Sequence, residues 1–196
     1  MSDTGWESAG IAVFNDAVGT EAWSNPGNAV ANDDSYATTS LSASEVSYYL
    51  KATQFGFDIP TGSTINGIVV RIEANDNSSA CDFGDSSGNG GVYIVKGGFA
   101  SGDRHNNINV ANSDHYHYFG TGSDWEEGDT DDLWGLTWSV SDINSSIFGV
   151  AASCHNNSSE DTGTVYVDHI QIKVYYTEGG TPTVGTGYPL PPFKNS

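Results

Sequence analysis

Positive charge is what this chain has least of. Six of its 196 residues are Lys or Arg, against 25 Asp or Glu, for a formal net charge of −19. Nucleic-acid binding draws on counterion release by clustered cations, so that class is excluded. An anionic membrane surface is disfavoured on the same ground. No stretch approaches the roughly 20 apolar residues of a membrane-spanning helix. The opening Met1-Ser-Asp-Thr-Gly-Trp6 has neither a basic segment nor an apolar run, so no cleaved secretory signal is expected. Cysteine is scarce: Cys81 and Cys154 each fall just past an expected strand. A disulfide between them and a pair of free thiols, the usual state in a reducing cytosol, both fit that placement. The chain also lacks a nucleophile elbow, a phosphate-binding loop and a dinucleotide fingerprint, so a non-enzymatic role is expected.

Glycine, serine, asparagine, aspartate and threonine dominate what is present, with 12% aromatic residues. That is the profile of short strands joined by polar turns. Strands are expected at residues 11–14, 46–57, 65–74, 92–95, 133–138, 148–153 and 164–177, with another following 33–39. In 65–74, Ile68, Val70, Ile72 and Ala74 share one face while Arg71 and Glu73 share the other, the alternation of a sheet with one buried face. In 165–176 the apolar phase slips by one residue, as a β-bulge requires. Residues 139–146 hold the one helical signal, with Ser139 or Ser141 as cap. Residues 75–91 and 100–127 read as polar, irregular insertions. The expected architecture is all-β, an antiparallel two-sheet sandwich of jelly-roll type, with an immunoglobulin-like sandwich as the runner-up. It divides into an N-terminal arm (1–9), one domain (10–177) and an extended Gly/Pro-rich tail (178–196).

The candidate sites are few. His115 and His117 share a strand face, half of a metal site with no third ligand at a diagnostic spacing. His169 beside Asp168 reads as a structural pair. Asp76, Asp82 and Asp85 share one loop, and six carboxylates crowd positions 124–132. Calcium prefers such oxygen-rich loops, which makes Asp129, Asp131 and Asp132 its weak candidates, with a solvated acidic loop as the default. Trp125, Tyr116 and Tyr118 are candidate glycan contacts. Trp134 and Trp138, four apart on an expected strand, point the same way into the core.

Beyond the domain, residues 178–187 form a spacer with little to pack, ending in Tyr188, Pro189, Leu190, Pro191, Pro192 and Phe193. Proline presets an extended backbone and so lowers the entropy lost on docking in a groove. This segment is therefore expected to dock on another subunit.

Several motifs together, among them Trp23-Ser-Asn-Pro-x-Asn-Ala29, Phe55-Gly-Phe-x-Ile-Pro60, Leu133-Trp-Gly-Leu-Thr-Trp138 and Val167-Asp-His-Ile-x-Ile172, resemble a group of bacteriophage virion-associated β-sandwich proteins. The resemblance spans most of residues 23–177 and implies a structural role without catalytic residues. It implies a virion subunit made in the host cytoplasm, a capsid decoration or cement protein. Its partners would be the major capsid protein or other virion subunits, and it would form a homo-oligomer. A tail-fibre or carbohydrate-binding module is the alternative.

Overall fold

The computed structural model describes residues 1–85, 87–106, 108–121, 131–159 and 161–179. The chain opens with two short strands, β1 (Ser2–Asp3) and β2 (Glu7–Ser8), then β3 (Ile11–Asn15), a 3-10 turn at Pro26–Ala29, β4 (Ala37–Leu41) and β5 (Tyr49–Thr53). The long β6 (Thr64–Asp76) leads to β7 (Cys81–Phe83), β8 (Gly91–Lys96), β9 (Phe99–His105), β10 (Ile108–Asn109) and β11 (His115–Phe119). A one-turn helix, α1 (Val140–Ile143), precedes β12 (Gly149–Ser153), β13 (His155–Asn156) and β14 (Gly163–Thr177).

These strands form antiparallel sheets. The six-stranded sheet runs β1–β14–β6–β11, with β2 and β4 also paired to β14. The five-stranded sheet runs β3–β5–β12–β8–β9, and β10–β7–β13 form a small third sheet. Between the two large sheets lies one apolar core. Ile68, Val70, Ile72, Ile170, Ile172 and Val174 enter it from one side, and Leu50, Ala52, Val92, Ile94 and Val150 from the other. The expected alternation in β6 holds, and the bulge in β14 falls between Val167 and His169, at Asp168. Close approach of β12 to β5 requires Gly149, because a Cβ there would meet the Ala52 carbonyl at 1.9 Å. The helical signal is α1, opened by a capping box in which the Ser139 side chain accepts from the Asp142 amide and Asp142 answers back.

Several expectations need correction. Residues 133–138 form a turn and a coil rather than a strand. Trp134 and Gly135 both take positive φ, 57° and 64°, and the Asp132 carboxylate accepts from the Trp134 amide at 2.6 Å. Trp134 is nevertheless fully buried and donates from its indole to the Ile68 carbonyl at 2.9 Å, while Trp138 is only partly buried. The polar stretch 100–127 hides most of β9 and all of β10 and β11, and 75–91 hides β7. Residues 1–9 are not a free arm: β1 and β2 pair with β14 and extend the sheet. Tail residues 188–193 lie outside the described residues.

Replacing Ile172 by Ala should destabilise the fold by about 2–5 kcal/mol, the cost of a large-to-small change in a packed core. Lys173 looks like an exposed, expendable position in sequence, yet it is 8% exposed, its ammonium 4.6 Å from the Trp6 ring centroid. Lys173→Ala should therefore cost about 1 kcal/mol, as lost stem packing and cation–π attraction. Urea denaturation of both variants checks the pair, and a negligible effect at Ile172 would refute the packing.

Candidate functional site

The outer face of the six-stranded sheet carries a polar and aromatic network. Register sets Glu73 between His169 and Tyr116, and Arg71 between Gln171 and Tyr118. The Arg71 guanidinium lies 4.2 Å from the Trp6 ring centroid and 4.3 Å from that of Tyr116. It donates to Gln171 Oε1 from Nε and from a terminal nitrogen, at 2.8 and 2.6 Å. Gln171 donates in turn to Ser8 Oγ at 3.1 Å, and His169 bridges Ser8 Oγ at 2.9 Å and the Tyr116 hydroxyl at 3.1 Å. Asn32 donates to both Glu73 and Tyr116. Burial raises the Glu73 carboxyl above the usual range and, with Arg71, lowers the His169 imidazole.

Two of the three expected glycan contacts, Tyr116 and Tyr118, thus meet on one face, with Trp6 packed edge-on to Tyr118 at 6.0 Å. Trp125 lies outside the described residues. Trp6 and Tyr116 are engaged by the protein's own cations, so this face holds the N-terminal segment to the sheet. His169 pairs with Ser8 and Tyr116 rather than with its neighbour Asp168, which accepts from the Asp33 amide.

Carboxylates read as ligand candidates organise loops instead. Asp76 is buried and accepts the amides of Ser78, Ser79, Ala80 and Cys81 at 2.7–3.1 Å, folding the turn before β7. Asp82 accepts from Asn109 and Asn157. Asp132 pairs with His105 at 3.0 Å besides capping its turn. Asp131 is described but Asp129 is not. Among the described residues no three His, Cys, Asp or Glu side chains come together to hold a metal ion.

Cys81 and Cys154 are free thiols, both buried, which corrects the disulfide alternative. The register explains it: β7 and β13 pair Cys81 with Asn156 and Asp82 with His155, so the cysteines are not opposite one another. Burial pushes the Cys81 thiol up to about 12 and raises Cys154 well above the ordinary range.

The outer face of the five-stranded sheet is different, because it is open, with aromatic and aliphatic side chains set among polar ones. Tyr49, Lys51 and Ala151 floor a cleft of about 560 Å³ between Val18 and the β8–β9 hairpin, where Phe99 is 77% exposed. A second cleft of about 620 Å³ shares Val18 and Tyr49 with the first and extends over Tyr93 to Glu45. Tyr49 and Tyr93 meet edge to face, 5.9 Å apart. Lys51 spans the floor and donates to the Gly98 carbonyl. Ile11 and Val13, whose register partners are Thr53 and Lys51, leave roughly half their surface in water on the flanking strand. Ile11 and Val13 on one edge strand and Phe99 on the other are thus apolar side chains left exposed at the two margins of this sheet. Sequence reasoning missed this face. The usable signal was the apolar residues in β3 opposite the buried Ala12, an inverted alternation for a strand with a single buried face.

Comparison with protein-family models, curated proteins and solved structures returned no match for this chain.

On the inward face of β11, His117 is fully buried, packed on Phe83 at 5.7 Å and on His115 at 5.5 Å. Burial, with His115 nearby, lowers it from 6.5 to about 4. The unfolded chain takes up this proton as pH falls through about 6.5, whereas the folded protein resists until about 4. Stability should therefore fall across that window, by on the order of 3 kcal/mol from this group alone. His117→Phe should remove that part of the loss. Denaturation curves at pH 7 and pH 4 for both proteins test it, and identical acid sensitivity would refute the assignment.

Proposed function

We propose that the protein is a non-enzymatic structural subunit of a bacteriophage virion, a capsid decoration or cement protein with a jelly-roll body. The observation that carries this reading is the open cleft, lined by Val18, Tyr49, Tyr93 and Phe99 among polar residues, on one sheet face of an acidic molecule. Such a surface suits a protein partner, here the major capsid protein or another virion subunit. Strand order supports the jelly-roll assignment. β4, β6, β11 and β14 lie in one sheet and β5, β8, β9 and β12 in the other, in the orders 4-14-6-11 and 5-12-8-9. That is the alternation of an eight-stranded double Greek key. Many copies, each burying a modest patch in closed symmetry, would stabilise a shell through multivalency. The acidic body, at −19, adds solubility and attraction to a cationic partner surface.

Glycan recognition by a tail-fibre or carbohydrate-binding module is the less favoured reading. It needs aromatic faces open to a sugar ring, whereas Arg71 already lies over both Trp6 and Tyr116.

Mass spectrometry of purified virions should find the protein at many copies per particle, and its absence from particles would overturn the assignment. A Val13→Asp, Phe99→Asp double variant should melt like the wild type, since exposed positions usually shift stability by about 0.5 kcal/mol or less. Its binding to particles lacking the protein should weaken roughly ten-fold or more, about 1.4 kcal/mol. Undiminished binding would mean that this face is not the contact.

A further inference from the structure

We propose, resting on the assembly reading above, that the cleft on the five-stranded sheet receives residues 188–193 from the C-terminal segment of a neighbouring copy. The chemistry of the two parts matches. Val18, Tyr49, Tyr93 and Phe99 offer an aromatic and aliphatic trough, with Ala151 low in its floor. The segment brings Tyr188, Leu190 and Phe193 on a backbone restricted by three prolines. Proline-rich segments dock in aromatic-lined grooves because their extended form is already paid for in entropy.

Dimensions match as well. Six residues in a polyproline conformation span about 19 Å at ~3.1 Å each. Five adjacent strands at ~4.8 Å spacing place the rims of the sheet about 19 Å apart.

Charge selects this occupant. Two bodies each near −19 repel, so a face-to-face dimer through the cleft is disfavoured. The last acidic residue is Glu178, and residues 179–196 carry no Asp or Glu and a single cation, Lys194. This segment is the part of a neighbour that approaches the acidic body without like-charge cost, and Glu45 at the far end of the cleft offers Lys194 a carboxylate. The geometry of exit favours a neighbour. The chain leaves the six-stranded sheet at Gly179, against Gly62, whereas the cleft lies on the outer face of the other sheet. Within one chain the segment would have to turn round the sandwich edge. Between copies it would run from one molecule to the next, a head-to-tail contact of the kind that builds rings or filaments.

Disulfide trapping with the full chain tests the contact, since both native thiols are buried. Protein carrying Phe99→Cys is mixed with protein carrying Leu190→Cys under mild oxidation. A mixed dimer should form at least ten-fold faster than with a control pair, Ser40→Cys and Leu190→Cys, because Ser40 is exposed on the other sheet. Val18→Cys, on the opposite rim, should also trap Leu190→Cys. Equal rates for the cleft and control pairs would overturn the proposal. So would a chain carrying both Phe99→Cys and Leu190→Cys that closes on itself at high dilution while the mixture gives no dimer. The outcome is separable from the virion reading. A subunit abundant in virions but giving no trapped dimer overturns the docking alone, and a trapped dimer from a protein absent from virions overturns the virion reading alone.

Discussion

Everything in this molecule is hung on the ladder between β6 and β14. The two strands pair from Thr64 and Thr177 at one end to Asp76 and Val165 at the other. Their inward residues are almost all β-branched, which suits a pleated, buried surface. β14 also carries β1, β2 and β4 along its other edge, and β6 carries β11. Because the side-chain period is two, a slip of one residue would turn the whole apolar set outward. The bulge at Asp168 uses that property locally. It shifts phase once, so that Val167 stays inward before it and Ile170 and Ile172 after it, while His169 and Gln171 face the polar side.

The two outer faces then diverge in use. On the six-stranded sheet, residues 4–8 fold back as cover, and Trp6 lies over Arg71 and Lys173. Cations that are rare in this chain are spent on sealing a face, and their aromatic partners are no longer free for a ligand. On the five-stranded sheet no segment among the described residues covers the cleft between Val18 and Phe99. The asymmetry gives the body one face covered by its own N-terminal segment and one face that the described residues leave open.

Polar groups do inside this fold what helices do elsewhere. The Asp76 carboxylate gathers four consecutive amides and so turns the chain out of β6 into β7. Such a carboxylate is indistinguishable in sequence from a calcium ligand, because both roles ask for an oxygen-rich, Ser- and Asn-containing loop. Geometry separates them: the lone pairs that would meet a cation are taken up by N–H donors.

The sequence by itself determined the fold class, the phase of β6, the bulge in β14 and the capped turn at Ser139. Each of these is written in residues close together in the chain, as alternation, a break in alternation, or a Ser–Asp pair three apart. It put His115 and His117 on one strand face but not in the core, because burial of His117 depends on Phe83 arriving from a strand more than thirty residues away. Nor did it show that residues 133–138 turn rather than extend. That depends on the Ile68 carbonyl receiving the Trp134 indole and on Gly135 closing against Asp103. Tertiary structure alone decided which thiols could meet, which aromatics were already occupied and which sheet face stayed open. Those are properties of register between distant strands, and register follows from the packing of the whole core rather than from any local pattern.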